Sequence, residues 1–169
     1  QVFYVVPRVE MVESEVRLLQ SGIPDARVDF AYSGVVNLER RIVDFTLGDT
    51  DVLVATTILE NGIDIPNVNT IIVQSTHMFG LGQLHQLRGR VGRAAVQAYA
   101  YLMHPPRAQL SDDATQRLGV LQRESALGGG ASIARSDLQM RGAGNLFGEA
   151  QKGTSGMNDI GVDMYVEVL

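Results

Sequence analysis

Along the first hundred residues, short apolar runs alternate with stretches in which apolar residues recur every three or four positions. VFYVV (2–6) is a run of β-favouring residues closed by Pro7. VEMVESEVRLLQSG (9–22) has the period of an amphipathic helix ending at Gly22. ARVDFAY (26–32) predicts a second strand, and NLERRIVDFTLGDT, with Asn37 in the N-cap position, a second helix ending near Gly48. DVLVAT (51–56) and NTIIVQ (69–74) predict two further strands, GQLHQLRGRVGR (82–93) a helix, and AYAYLMH (98–104) a last strand. Strands apolar on both faces that alternate with helices argue for βαβ units. The predicted fold class is therefore α/β, with a mostly parallel sheet flanked by helices.

The pattern changes after Pro105 and Pro106. SDDATQRLGVLQRESAL (111–127) predicts a helix, with Ser111 as N-cap and acids in its first turn. LGGGAS (127–132) breaks it. The stretch from 134 to 156 is dense in glycine and polar residues, with only Leu138, Met140, Leu146 and Phe147 to bury. This part is expected to lack a core of its own and to pack on the α/β domain or on a partner domain. A length of 169 residues suits one well-cored domain plus an appendage. No apolar run approaches a membrane-spanning length, so no membrane partner is expected. A start at Gln1, directly in a core strand, predicts a piece of something longer.

Composition adds little until it is split. Zero cysteines excludes a disulfide framework and any thiolate metal site. The net charge of −5 conceals an uneven distribution. Residues 1–79 hold five arginines against eleven acids, whereas residues 80–141 hold eight against four. Thirteen of the fourteen basic residues are arginine, the side chain suited to bidentate contact with phosphate or carboxylate. A compositional bias toward arginine accounts for this equally well.

Two stretches carry candidate chemistry. In HQLRGRVGRA (85–94), a continuous helix would place Gln86, Arg90 and Arg93 at i, i+4 and i+7, on one face, with Arg88 pointing elsewhere. Gly89 and Gly92 would form a separate bare stripe, each costing the helix roughly 1 kcal/mol relative to alanine. Such a face could stabilise charge on a transferred phosphoryl group; a solvated helix or a set of structural ion pairs fits the pattern too. In TTILENGIDIPN (56–67), a polar turn follows an apolar strand, where parallel sheets place ligand contacts. Thr56 and Thr57 could offer hydroxyl and N–H groups to a phosphate, and Asp64 a rigid carboxylate to a ribose or an arginine. Ordinary helix-capping threonines remain the alternative.

Together, TTILENGIDIP and QLRGRVGR, with a hydrophobic strand between them, resemble motifs V and VI of superfamily 2 helicases. The resemblance implies the second RecA-like domain of a two-domain, ATP-driven nucleic-acid motor. Gln86, Arg90 and Arg93 match the Q-x-x-G-R-x-G-R pattern, which implies that they face ATP and Mg2+ bound mainly by the first RecA-like domain. The resemblance further implies nucleotide contacts at Gly62 and Asp64 and DNA contacts at Thr56 and Thr57. RLGVLQRES, ARSDLQMRGAGNLFGEAQKG and IGVDMYVEVL resemble the element after motif VI in the transcription-repair coupling factor and RecG-type helicase families. There a helical hairpin and a Gly-rich loop convert domain motion into movement along double-stranded DNA. Arg117, Arg141 and Gln151 match positions tied to translocation. The implied division is a RecA-like domain over 1–105 and a translocation extension over 106–169.

The resemblance implies further expectations. The family's Gly-His-Gly turn is replaced by AYSGVVNLERR (31–41), and the aromatic after the LGGGAS glycines by Ala131. A G-x-x-x-x-G-K-[ST] loop and a strand-terminal Asp-Glu pair are absent from the sequence, so this chain alone is expected not to hydrolyse ATP. His77, His85 and His104 lack metal-ligand spacing, and no metal site is expected. Glu60 and Asp64 sit at i and i+4 as in an acid/base pair, but a chain without tryptophan lacks sugar-stacking platforms. The implied partners are double-stranded DNA and the first RecA-like domain. RNA polymerase and nucleotide-excision repair proteins would be reached through other regions. The implied function is displacement of stalled RNA polymerase in transcription-coupled repair, in a bacterial cytoplasm or a plastid stroma. The alternatives are a RecG-type fork-reversal helicase and a non-catalytic DNA-binding or interaction module.

Overall fold

The computed structural model describes residues 1–57, 68–91, 97–123 and 130–141. The apolar runs form five strands: β1 (Val2–Val5), β2 (Val28–Ala31), β3 (Val52–Ala55), β4 (Thr70–Val73) and β5 (Tyr99–Leu102). All are parallel, in the order β2-β3-β1-β4-β5. The helices are α1 (Val12–Gly22), α2 (Leu38–Leu47), α3 (Leu81–Arg88), α4 (Asp112–Arg123) and α5 (Gly130–Arg141). The α/β class and the parallel sheet are as expected. Among the described residues no helix is long and apolar enough to cross a membrane.

Strand alternation sorts the core into two layers. Phe3, Val5, Leu53, Ala55, Ile71 and Val73 point to one face and meet Phe45 of α2, Leu81, Leu84 and Leu87 of α3, Val120 and Leu121 of α4, and Ile133 of α5. Tyr4, Val6, Val52 and Val54 point to the other face and meet Val12 and Val16 of α1. β3, between two neighbours, is buried at all four positions. β5, at the sheet's end, is exposed at Tyr99, Ala100 and Tyr101, so the last strand departs from the expectation of strands buried on both faces.

Other local differences have identifiable causes. The first turn of the predicted 9–22 helix is a 3-10 turn over Val9–Met11. Asn37 does precede α2, but its backbone is left-handed (φ 60°) and its side chain caps nothing. Ser111 does cap α4: Ala114 N–H donates to its hydroxyl at 3.2 Å. Gly130, one of the glycines read as a breaker, opens α5. Its anchor is Ile133, 1% exposed, a residue absent from the expected buried set. Packing against the shared core overrides glycine's weak helix propensity there. Among the described residues, α4 and α5 therefore complete the core of the sheet through Val120, Leu121 and Ile133.

Candidate functional site

Parallel strands bring all their carboxyl ends to one edge, where α/β proteins build sites from the turns that follow. Thr56 follows β3 there, 8% exposed, and Thr57 is half-buried in the next turn. Beside them Val6 N–H donates to Ala55 O at 2.9 Å, and Gln74 N–H to Val5 O at 2.9 Å, so the exits of β3, β1 and β4 are laced together. The turn after β2 lies along the same edge. It carries Gly34 at φ 85° and Asn37 at φ 60°, with Val36 exposed between them. Gly62 and Asp64 lie outside the described residues.

A polar trio that sequence reading missed sits at this edge. Glu15, in the first turn of α1, is 8% exposed. Its carboxylate accepts the Tyr4 hydroxyl at 3.2 Å and the Gln74 amide at 2.8 Å. Among the described residues no cation is bonded to it, and these two donors and the positive end of α1 hold the charge in place. Burial, then the adjacent carboxylate, pushes the Tyr4 phenol up to about 12. A signal was available: Glu15 falls between Val12, Val16 and Leu19, inside the apolar stripe of the predicted helix.

The arginine-rich stretch departs from the predicted geometry. α3 stops at Arg88, and Gly89 follows with N–H donating to His85 O at 3.1 Å. Arg90 lies in the next turn, its N–H bonded to Leu87 O at 3.1 Å. A continuous helical face holding both Gln86 and Arg90 is therefore not formed; the physical reason is glycine's cost to a helix, met first at position 89. Gln86 is exposed on α3, opposite Leu81, Leu84 and Leu87, and Arg90 is half-buried. Arg88 does point elsewhere, onto His85 Nδ1 at 3.2 Å. Burial, then that guanidinium, holds the His85 imidazole below its usual value. A guanidinium only donates, so His85 Nδ1 is the acceptor in this contact. Gly89 is exposed, and a side chain there would meet only the Gln86 and His85 carbonyls, at 3.4 and 3.6 Å. No other described element of this chain uses the bare position. Arg93 and Gly92 lie outside the described residues.

Elements beyond the sheet seat α3. Gln83 accepts the Gly80 N–H at 3.1 Å and fixes the helix start. The preceding turn, Thr76–Met78, is pinned by Thr76, fully buried, whose N–H and hydroxyl both donate to Met103 O, at 2.9 and 3.0 Å. Arg117 of α4 pairs with Asp113 and donates to His77 O of this turn at 3.1 Å. Ala131 lies in the first turn of α5 and Arg141 ends it; their side chains, and Gln151, lie outside the described residues.

Comparison with known proteins agrees with this architecture. Residues 1–95 match the helicase conserved C-terminal domain. A chloroplastic ATP-dependent DNA helicase of Arabidopsis thaliana is 43% identical over the whole chain, which spans 20% of that protein. A transcription-repair-coupling factor of Myxococcus xanthus is 46% identical, again over the whole chain, which spans 14% of its length. The structure of RecG bound to a three-way DNA junction superposes with a TM-score of 0.73 at 30% identity, covering 99% of this chain and 21% of that one. With more than half of its residues matched, the chain belongs to the helicase C-terminal domain family.

Proposed function

We propose that this chain is the C-terminal motor half of an ATP-dependent translocase on double-stranded DNA, acting in transcription-coupled repair to displace stalled RNA polymerase. The observation that carries the reading is the seating of α4 and α5 on α3. Residues beyond the matched 1–95 pack on the helix that leads to Arg90, and Arg117 hydrogen-bonds the turn before it. A shift at the nucleotide wall would be felt in the extension, which suits an element that turns domain motion into movement along DNA. The proposed division remains 1–105 for the RecA-like part and 106–169 for the translocation extension.

In this reading Gln86, Arg90 and Arg93 complete an ATP site whose Mg2+ and phosphate-binding residues stand on the first RecA-like domain. ATP supplies the phosphoryl-transfer chemistry. The guanidinium groups stabilise charge on the transferred oxygens, and the half-buried setting of Arg90 strengthens that interaction relative to water. Gly62 and Asp64 contact the nucleotide, and Thr56 and Thr57 the DNA backbone. Arg117, Arg141 and Gln151 couple the two. Among the described residues no group of three His, Asp or Glu side chains is placed to hold a metal ion. The chain by itself is proposed not to hydrolyse ATP. A bacterial cytoplasm or a plastid stroma, the latter suggested by the Arabidopsis relative, is the proposed compartment.

The likeness to RecG favours a second reading, fork reversal by the same motor chemistry. In the full-length protein, Arg117→Ala tests the coupling: DNA-stimulated ATP hydrolysis should persist while displacement of stalled polymerase, or regression of a model fork, is lost. Retention of hydrolysis together with both movements would remove Arg117 from the coupling path. Loss confined to the fork assay would favour the second reading.

A further inference from the structure

The end strand β5 separates two uncovered surfaces. On the face that α1 only partly covers, Tyr99, Tyr101 and Met103 are 49%, 54% and 50% exposed, with the two rings stacked at 6.4 Å. On the other face, Ala100 and Leu102 open into a cleft of about 1060 Å³ between β5 and α4. Leu110 and Leu118 give it an apolar floor, while Arg88, Arg107 and Arg123 stand around it. No carboxylate and no Phe, Tyr or Trp ring lines it among the described residues, where His104 supplies an imidazole. Arg107 and Arg123 have no ion-pair partner among those residues.

The strand's own edge lies between these surfaces. Tyr99 and Met103 N–H groups donate toward β4, to Asn69 O and Val73 O, at 2.8 and 2.9 Å. Alternation turns the backbone groups of Ala100 and Leu102 the other way. No further strand lies beyond β5 among the described residues. Parallel sheets are ordinarily covered on both faces, and a long bare edge is a template for pairing.

From this arrangement we infer that β5 is a docking edge for an extended acidic peptide of a partner protein, added to the sheet as a further strand. Backbone groups of the peptide meet those of Ala100 and Leu102. Acidic side chains on one of its faces enter the Arg88–Arg107–Arg123 cleft, and apolar side chains on the other cover Tyr99 and Tyr101. Strand addition takes affinity from main-chain hydrogen bonds and specificity from alternate side-chain pockets. Charge selects this occupant over a second copy of the chain, which would bring two arginine-lined clefts together. The apolar floor of Leu110 and Leu118, with no Phe, Tyr or Trp platform beside it, selects it over single-stranded nucleic acid.

The test is fluorescence anisotropy on the full chain with three labelled probes. These are the peptide Glu-Val-Asp-Ile-Glu-Val, its Lys-for-acid counterpart, and an oligothymidylate. The acidic peptide should bind and the basic one should not. Arg107→Glu with Arg123→Glu should weaken binding by about tenfold or more. Ala100→Pro removes only an outward N–H, which an edge strand tolerates. It should also weaken binding, while far-UV circular dichroism and the melting temperature stay near those of the parent. Absence of acidic-peptide binding would overturn the inference, as would insensitivity to Ala100→Pro, which leaves charge without strand pairing. Oligothymidylate binding that displaces the peptide and depends on the same arginines would assign the cleft to nucleic acid instead. ATP hydrolysis plays no part in these readouts, so their failure leaves the motor reading where it stood.

Discussion

Among the described residues, α1 alone of the helices packs on one side of the sheet, against Tyr4, Val52 and Val54, and the tyrosines of β5 are about half exposed. On the other side α2, α3, α4 and α5 close over a single larger core that runs from Phe3 to Ile133. The two layers differ in what they contain as well as in thickness. The thin one buries a carboxylate at the sheet's carboxyl edge, held by Tyr4 and Gln74. The thick one holds the arginine-bearing stretch and seats it through α4 and α5. Depth of packing therefore follows the part of the molecule proposed to transmit force, while the thin layer leaves surface for partners.

This contrast can be broken by mutation. Leu84, fully buried where the thick layer converges, should cost about 2–5 kcal/mol as Leu84→Ala in a urea melt. Val16→Ala, in the thin layer, should cost about 2 kcal/mol. Equal losses would mean that the two layers are packed alike. Tyr4→Phe sharpens the picture of the thin layer. Removing the hydroxyl leaves buried Glu15 with one donor, and should cost about 1–2 kcal/mol at neutral pH.

The same variant has an alkaline signature. The Tyr4 phenol titrates near 12 in the fold against an ordinary value near 10. The stability it contributes is fully present below pH 10 and is lost as pH rises through 12. Tyr4→Phe should lack that alkaline loss.

The smallest effect belongs to the far edge of the sheet, away from both layers' sites. There Arg27 grips Asp51 through its Nε and Nη2, at 2.9 and 2.8 Å. Hydrogen bonds from the Arg27 side chain, then from its backbone N–H, hold the Asp51 carboxyl down to about 2. A lowered carboxylate value contributes stability above the ordinary range near 4 and loses it as pH falls toward 2. Asp51→Asn should flatten the acid limb of a stability–pH curve, with a loss that is present at pH 7, small because the pair is exposed, and that vanishes as pH falls toward 2. A marked loss at neutral pH would assign this pair a larger role than an exposed contact should have.

The sheet was legible because its strands are short apolar runs with few other ways to bury themselves; DVLVAT and NTIIVQ read directly as β3 and β4. The limits of α3 were not. Its apolar period continues past Arg88, and only the cost of Gly89 and Gly92 argues for an earlier stop. α5 failed in the opposite direction: its opening glycine suggested a break, yet Ile133 finds the core below α3 and pulls the segment helical. The pairing of Arg117 with His77 O joins residues forty positions apart, and nothing in local pattern announces it. The match to the helicase motifs needed only residue identity, and family comparison supports it.

The central claim is that Arg90 serves an ATP site shared with another RecA-like domain. Steady-state ATP hydrolysis by the full-length protein on linear double-stranded DNA, measured beside DNA binding, tests it most directly. Arg90→Ala should lower kcat by about 10³-fold or more while DNA binding is kept. Unchanged kcat in a folded Arg90→Ala variant, or vigorous hydrolysis by residues 1–169 alone, would contradict it.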